Sequence, residues 1–190
     1  MTLVPIPVWN AQGVIPPINA LNPTSAERSP YTVSLIDFVD QFSTSPERRN
    51  VLQGFLRYRA ALHATGLING FQWLNGSFLE DVETLEGRPP RDLDVVTFIH
   101  TPVDLELTDE VAQLFDQAVA KERFKVDAYV VELDALPPRE LTFWSAYWYS
   151  LWSHRRNQLW KGFVQIELAP DPDEATLARL APFAETGGSS

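Results

Sequence analysis

The run Asp92-Leu93-Asp94-Val95-Val96-Thr97-Phe98-Ile99 constrains this chain more than any other segment. Its β-branched and aromatic residues favour a pleated strand, here expected from Leu93 to His100. Side chains on a strand alternate between faces, so Asp92 and Asp94 share one face and Leu93 and Val95 the other. The two acidic residues then stand about 6–7 Å apart at their Cα atoms. Paired carboxylates on an otherwise apolar strand repel each other and resist burial. A divalent cation removes that conflict. Mg²⁺ suits it well, because it takes hard oxygen ligands and combines one or two carboxylates with substrate phosphates.

The hydrophobic period changes along the chain. Residues 1–33 are proline-rich, with apolar Leu3, Val4, Ile6, Val8, Trp9, Val14 and Ile15, and are expected to form an extended arm packed on the domain. Leu35, Phe38, Val39 and Phe42 recur at helical spacing behind a Ser34 cap. Thr44 or Ser45, followed by Pro46 and Glu47, opens a second helix running to about Ala64, which Gly66 ends. Phe71 to Asn75 reads as a strand, and Gly87, Pro89 and Pro90 mark a loop. Beyond the central strand, Asp109 to Glu122 reads as one amphipathic helix and Phe124 to Leu133 as a strand. Pro137-Pro138 opens a helix to about Arg156, Trp160 to Leu168 forms a last strand, and Asp173 to Phe183 a last helix. The order predicts an α+β fold: a mixed β-sheet with helices packed on it, spanning residues 34–184, with a flexible tail over 185–190.

A third acid, Asp127, falls on the strand expected after the Asp109 helix. Three carboxylates on adjacent strands form a framework for two metal ions roughly 3.5–4 Å apart. Upstream, Gly76 permits close backbone approach, and Ser77 adds a hydroxyl and an amide at an expected helix N-terminus, a seat for a triphosphate. Arg88 and Arg91 flank the acids and either meet phosphate or balance Glu83 and Glu86. Lys161, just before Gly162, is a further candidate phosphate contact. His63, His100 and His154 show no metal or base spacing.

With Leu74-Asn75-Gly76-Ser77, Asp92-Leu93-Asp94 and Asp127 in that order, the chain resembles the polymerase-β-type nucleotidyltransferase superfamily. More narrowly it is similar to a bacterial family of small nucleotidyltransferase-like proteins of unsettled function. That likeness rests also on Gly13 to Pro17, Phe42 to Arg49, Pro90 to Val96 and Trp160-Lys161-Gly162, and extends over roughly residues 10–170. The resemblance implies a nucleotidyltransferase-like fold and two-metal nucleotidyl transfer. Asp92 and Asp94 would hold the metal on the NTP phosphates, all three acids the second metal, and Asp127 would help activate an acceptor hydroxyl. Gly76, Ser77 and Lys161 would bind the nucleotide. The fourteen residues between Ser77 and Asp92 exceed the gap of minimal antitoxin-like members and imply a lengthened loop over the site. The resemblance also suggests a toxin–antitoxin or phage-defence setting.

Composition bounds the partners. The net charge is −10, which opposes nonspecific binding to nucleic acid and leaves nucleotides and proteins as the expected partners. There are no cysteines, which removes disulfides and thiolate metal sites. Met1 to Asn10 carries neither Lys nor Arg nor a long apolar run, and no segment approaches the roughly 20 apolar residues of a membrane helix, so a cytoplasmic, membrane-free protein is expected. The aromatic run Phe143, Trp144, Tyr147, Trp148, Tyr149 and Trp152 suits a helix packed across the sheet. Any surplus aromatic face would mark a partner surface. Two function classes remain open: a metal-dependent nucleotidyltransferase, and a non-catalytic antitoxin-like or regulatory binding module or NTP sensor.

Overall fold

The computed structural model describes residues 2–170 and 173–180. Its centre is a mixed five-stranded sheet of β1 (Tyr31–Thr32), β2 (Gly70–Asn75), β3 (Leu93–Ile99), β4 (Val126–Glu132) and β5 (Val164–Glu167). The spatial order is β1-β5-β2-β3-β4. β2 runs antiparallel to both β3 and β5, whereas β3 and β4 are parallel. This is an α+β architecture. The arm contributes to it directly, because Tyr31–Thr32 pairs with β5 as the edge strand.

Strand alternation sends two different chemistries to the two sheet faces. Leu74, Leu93, Val95, Val126 and Ala128 are buried on one face. There α1 (Leu35–Phe42), α2 (Pro46–Ala64), α5 (Gln117–Phe124) and α7 (Asp173–Leu180) gather. The fully buried Arg59 of α2 donates to Gln72 and to the carboxylate of Asp173, so a cation lies in this layer only because its donors are matched. The opposite face carries Trp73, Asn75, Asp94, Asp127 and Tyr129, and α6 (Pro138–Trp152) covers it. Trp148 packs on Tyr129 with ring centroids 4.7 Å apart, and Trp152 packs on Phe163.

Local chemistry sets the boundaries. Ser34 and Ser45 cap α1 and α2 by accepting from Asp37 N–H and Arg48 N–H. The helix expected over Asp109–Glu122 is two helices, α4 (Asp109–Leu114) and α5, because Asp116 accepts from Val119 N–H and so starts a new helix. The strand expected from Phe124 begins at Val126. Phe124 still belongs to α5, and Lys125 turns the chain in the left-handed region at φ 57°. α6 ends at Trp152 rather than Arg156, and the last strand is confined to Val164–Glu167, with Trp160 bridging His154 instead. The loop after Ser77 holds a short helix, α3 (Val82–Glu86), closed by Gly87 at φ 63°. The expected extension of the last helix to Phe183 and the tail over 185–190 lie outside the described residues. Among the described residues no helix is long and apolar enough to cross a membrane.

Candidate functional site

The carboxylates meet because β3 and β4 are parallel neighbours in one register. Asp94 pairs with Asp127 across the two strands, and Asp94 pairs with Asn75 on its other side. Three polar residues thus lie abreast at one end of the sheet, where α6 leaves it open. A cavity of about 850 Å³ stands over them. Asp94, Asp127, Asn75, Gly76, Ser77 and Lys161 all line it. Asp92 does not. It lies one residue before β3, and Lys121 of α5 takes its carboxylate at 2.7 Å. The same ammonium stands 3.8 Å from Asp127.

The charges interact strongly. Burial, then the charges of Asp92 and Asp127, push the Asp94 carboxyl up to about 6. Burial also raises the Tyr129 phenol, helped by Asp127 and Asp94. The Lys121 ammonium is raised by its hydrogen bond to Asp92. Gly76 is required here. Its backbone lies at φ 88° and ψ −171°, a region essentially restricted to glycine, and an added Cβ would stand 2.9 Å from the Asp94 carboxyl carbon.

Ser77 opens a three-residue 3₁₀ turn, Ser77–Leu79, rather than the expected helix. What fixes this turn is Arg48, fully buried at the start of α2. Its guanidinium donates to the carbonyls of Phe78 and Glu80 and pairs with Glu83 at 2.7 Å. Burial opposes ionisation of Glu83, but the hydrogen bond from Arg48 overrides it and holds the carboxyl below its ordinary range.

The far rim is a ladder of alternating charge. Lys161 reaches Glu80 at 2.5 Å, Arg155 reaches Glu80 at 3.0 Å and Glu86 at 2.8 Å, and Arg88 reaches Glu86 at 2.7 Å. Lys161 therefore lines the cavity with its ammonium already matched. Arg156 also lines the cavity and has no carboxylate partner among the described residues. Arg91 is exposed outside it.

A hard cation fits this donor set. Asp94 and Asp127 offer adjacent oxygens, burial and then the neighbouring carboxylates raise Asp94, and Asp92 is within the same electrostatic field. Among the described residues, no three acidic or histidine side chains stand in a ready chelating group, and the Lys121 ammonium lies against both Asp92 and Asp127. Lys121, Arg156, Asn75, Tyr129 and Trp148 joined the site unannounced. An Asn at the interior end of a strand, where β propensity is poor, was a legible signal for Asn75. The others follow from tertiary placement.

The fold and cleft define an α+β chain with a cavity of mixed charge at the end of a mixed sheet. The chain belongs to a family of unknown function (DUF6932), whose model matches residues 7–167. No curated protein and no solved structure matches it.

Proposed function

We propose that this protein is a nucleotidyltransferase-like enzyme that moves a nucleoside monophosphate from an NTP to a hydroxyl of a protein, RNA or small molecule. The observation that carries the reading is the side-by-side placement of Asp94 and Asp127 on the floor of a large cavity, next to Gly76-Ser77. Asp94 and Asp127, with Asp92 released from Lys121, would hold two Mg²⁺ or Mn²⁺ ions, which when bound neutralise phosphate charge and acidify the acceptor hydroxyl. Asp127 accepts the hydroxyl proton. The Ser77 hydroxyl and the Gly76 backbone orient the phosphates, and Arg156 meets their negative charge at the rim. The acceptor oxygen bonds to the α-phosphorus, the α–β bridging P–O bond breaks, and pyrophosphate leaves. The reading carries a cytoplasmic location, in keeping with a cysteine-free chain.

Two observations favour the second reading, a binding module or NTP sensor. Lys121 already neutralises Asp92, and α6 exposes Phe143, Tyr147 and Leu151. Label transfer separates the readings. Each α-labelled NTP is incubated with Mg²⁺ or Mn²⁺ and a host lysate, and protein and RNA are resolved. Label with wild type that disappears in Asp94→Asn and Asp127→Asn supports the enzyme. No label from any NTP, with folded protein, sinks it in favour of the module.

A further inference from the structure

β4 is an edge strand of the sheet: β3 lies on one side of it, and no strand pairs with its other side among the described residues. An apolar groove of about 510 Å³ follows that free edge. It is lined by Tyr129, Val130, Val131 and Glu132, with Trp144 and Tyr147 of α6 opposite. Side chains of successive strand residues leave by opposite faces, so a groove that touches four in a row runs along the backbone edge itself.

The strand pairing fixes which backbone groups meet the groove. Leu93 N–H donates to the Lys125 carbonyl and Leu133 N–H to the Ile99 carbonyl, so the odd-numbered residues of β4 turn their N–H and C=O toward β3. Those of Val130 and Glu132 point away from the sheet, and no hydrogen bond takes them among the described residues. Both residues are exposed. Natural proteins blunt a free edge with proline, a bulge or charge. β4 has no proline and pairs residue for residue with β3, without a bulge. The groove's charged lining residue is Glu132, which has no cation partner among the described residues.

We propose that this groove takes an extended peptide segment of another protein, which adds a strand beside β4 and lays alternate apolar side chains against Trp144 and Tyr147. Unpaired main-chain donors and acceptors on one wall and aromatic rings on the other are what strand addition requires. A helix seated here would leave the β4 groups unpaired, because its own main-chain groups are bonded internally. Charge selects among extended occupants. Glu132 in the groove and a net charge of −10 favour a segment bearing Lys or Arg, and disfavour both a second copy of this acidic chain and RNA. The groove shares Tyr129, Tyr147 and Trp148 with the carboxylate cavity, yet docking needs neither metal nor nucleotide and stands apart from the transfer reading.

The test pans a phage-displayed library of short random peptides on the full chain, then measures synthetic copies of the enriched peptides by fluorescence anisotropy. Enriched sequences are expected to alternate apolar residues and to carry Lys or Arg. Val130→Pro removes an outward N–H that β3 does not use, and Trp144→Ala alters an exposed position; each should weaken binding about tenfold or more in protein that remains folded by circular dichroism. Methylating alternate backbone nitrogens of the peptide tests strand addition on wild type alone. One phase should abolish binding and the other should spare it, because only alternate amides of an added strand face β4. Enrichment of no peptide, undiminished binding to either folded variant, or indifference to both methylation phases overturns the proposal. So does a wild-type dimer in light scattering that Val130→Pro turns into monomer, since a second copy then fills the groove.

Discussion

Replacing Asp94 by Asn is expected to stabilise the metal-free protein while abolishing the proposed nucleotidyl transfer. Folding buries this carboxyl beside Asp92 and Asp127, which lifts its pKa from an ordinary 3.8 to about 6. The folded chain therefore holds this proton more tightly than the unfolded chain does. Stability falls as pH rises from about 4 to about 6 and stays reduced above that. At 1.36 kcal/mol per pKa unit, the ionised carboxylate costs the fold about 3 kcal/mol at pH 7.5 and only about 0.5 kcal/mol at pH 4.

Asparagine has nearly the same shape and no charge. Asp94→Asn should thus gain about 3 kcal/mol over wild type at pH 7.5, or about 6–12 °C in Tm for a chain of this length, and little at pH 4. The assay is urea unfolding followed by tryptophan fluorescence, in chelator, at both pH values. Comparing the two proteins at each pH cancels the titration of every group not coupled to Asp94. Added Mg²⁺ should then stabilise wild type far more than the variant, since the ion relieves the repulsion that Asn has already removed. A gain that is equal at both pH values, or no gain, would show that Asp94 is not under electrostatic strain. The case for a cation at this floor would go with it.

Arg48→Met should destabilise the fold by about 3–5 kcal/mol, since it strands the Phe78 and Glu80 carbonyls and leaves Glu83 unpaired; chemical denaturation reads this, and a loss under 1 kcal/mol would contradict the clamp. Gly76→Ala should cost about 1–3 kcal/mol in backbone strain and displace the Asp94 carboxylate, cutting label transfer at least tenfold in protein that remains folded by circular dichroism. Unaltered transfer would show that the close approach of Gly76 to Asp94 does not matter.

Strand β3 and the caps of α1 and α2 were legible because their signals are local: a β-branched and aromatic run, Ser34 ahead of apolar residues at helical spacing, and Ser45 beside Pro46. Asp116 misled, since its spacing within an amphipathic run looks like a solvent-facing helix position while its side chain in fact starts a new helix. β1 and α3 are two and five residues long, too short to show any period. Of the site, the alternation that puts Asp94 on one face was readable, as was Asp127 on a strand. That the two strands are neighbours was expected; that Asp94 and Asp127 stand in register was not, because the residue pattern leaves the offset between parallel neighbours open. Lys121 escaped notice for a related reason. It reaches Asp92 only because Lys125 reverses the chain between α5 and β4.

The distribution of compensated and uncompensated charge bears on which reading is right. Along the rim, Lys161, Glu80, Arg155, Glu86 and Arg88 neutralise one another in contact pairs, so this stretch needs no ligand. Asp92 is matched by Lys121, and Asp127 partly so. Asp94 has no contact cation among the described residues, and burial, then the charges of Asp92 and Asp127, raises its carboxyl. Arg156, exposed on the same cavity, has no carboxylate partner among the described residues. A bare metal ion would satisfy the first and a bare anion the second. A polyphosphate carrying its divalent cation satisfies both at once, which a protein-binding module has no reason to require.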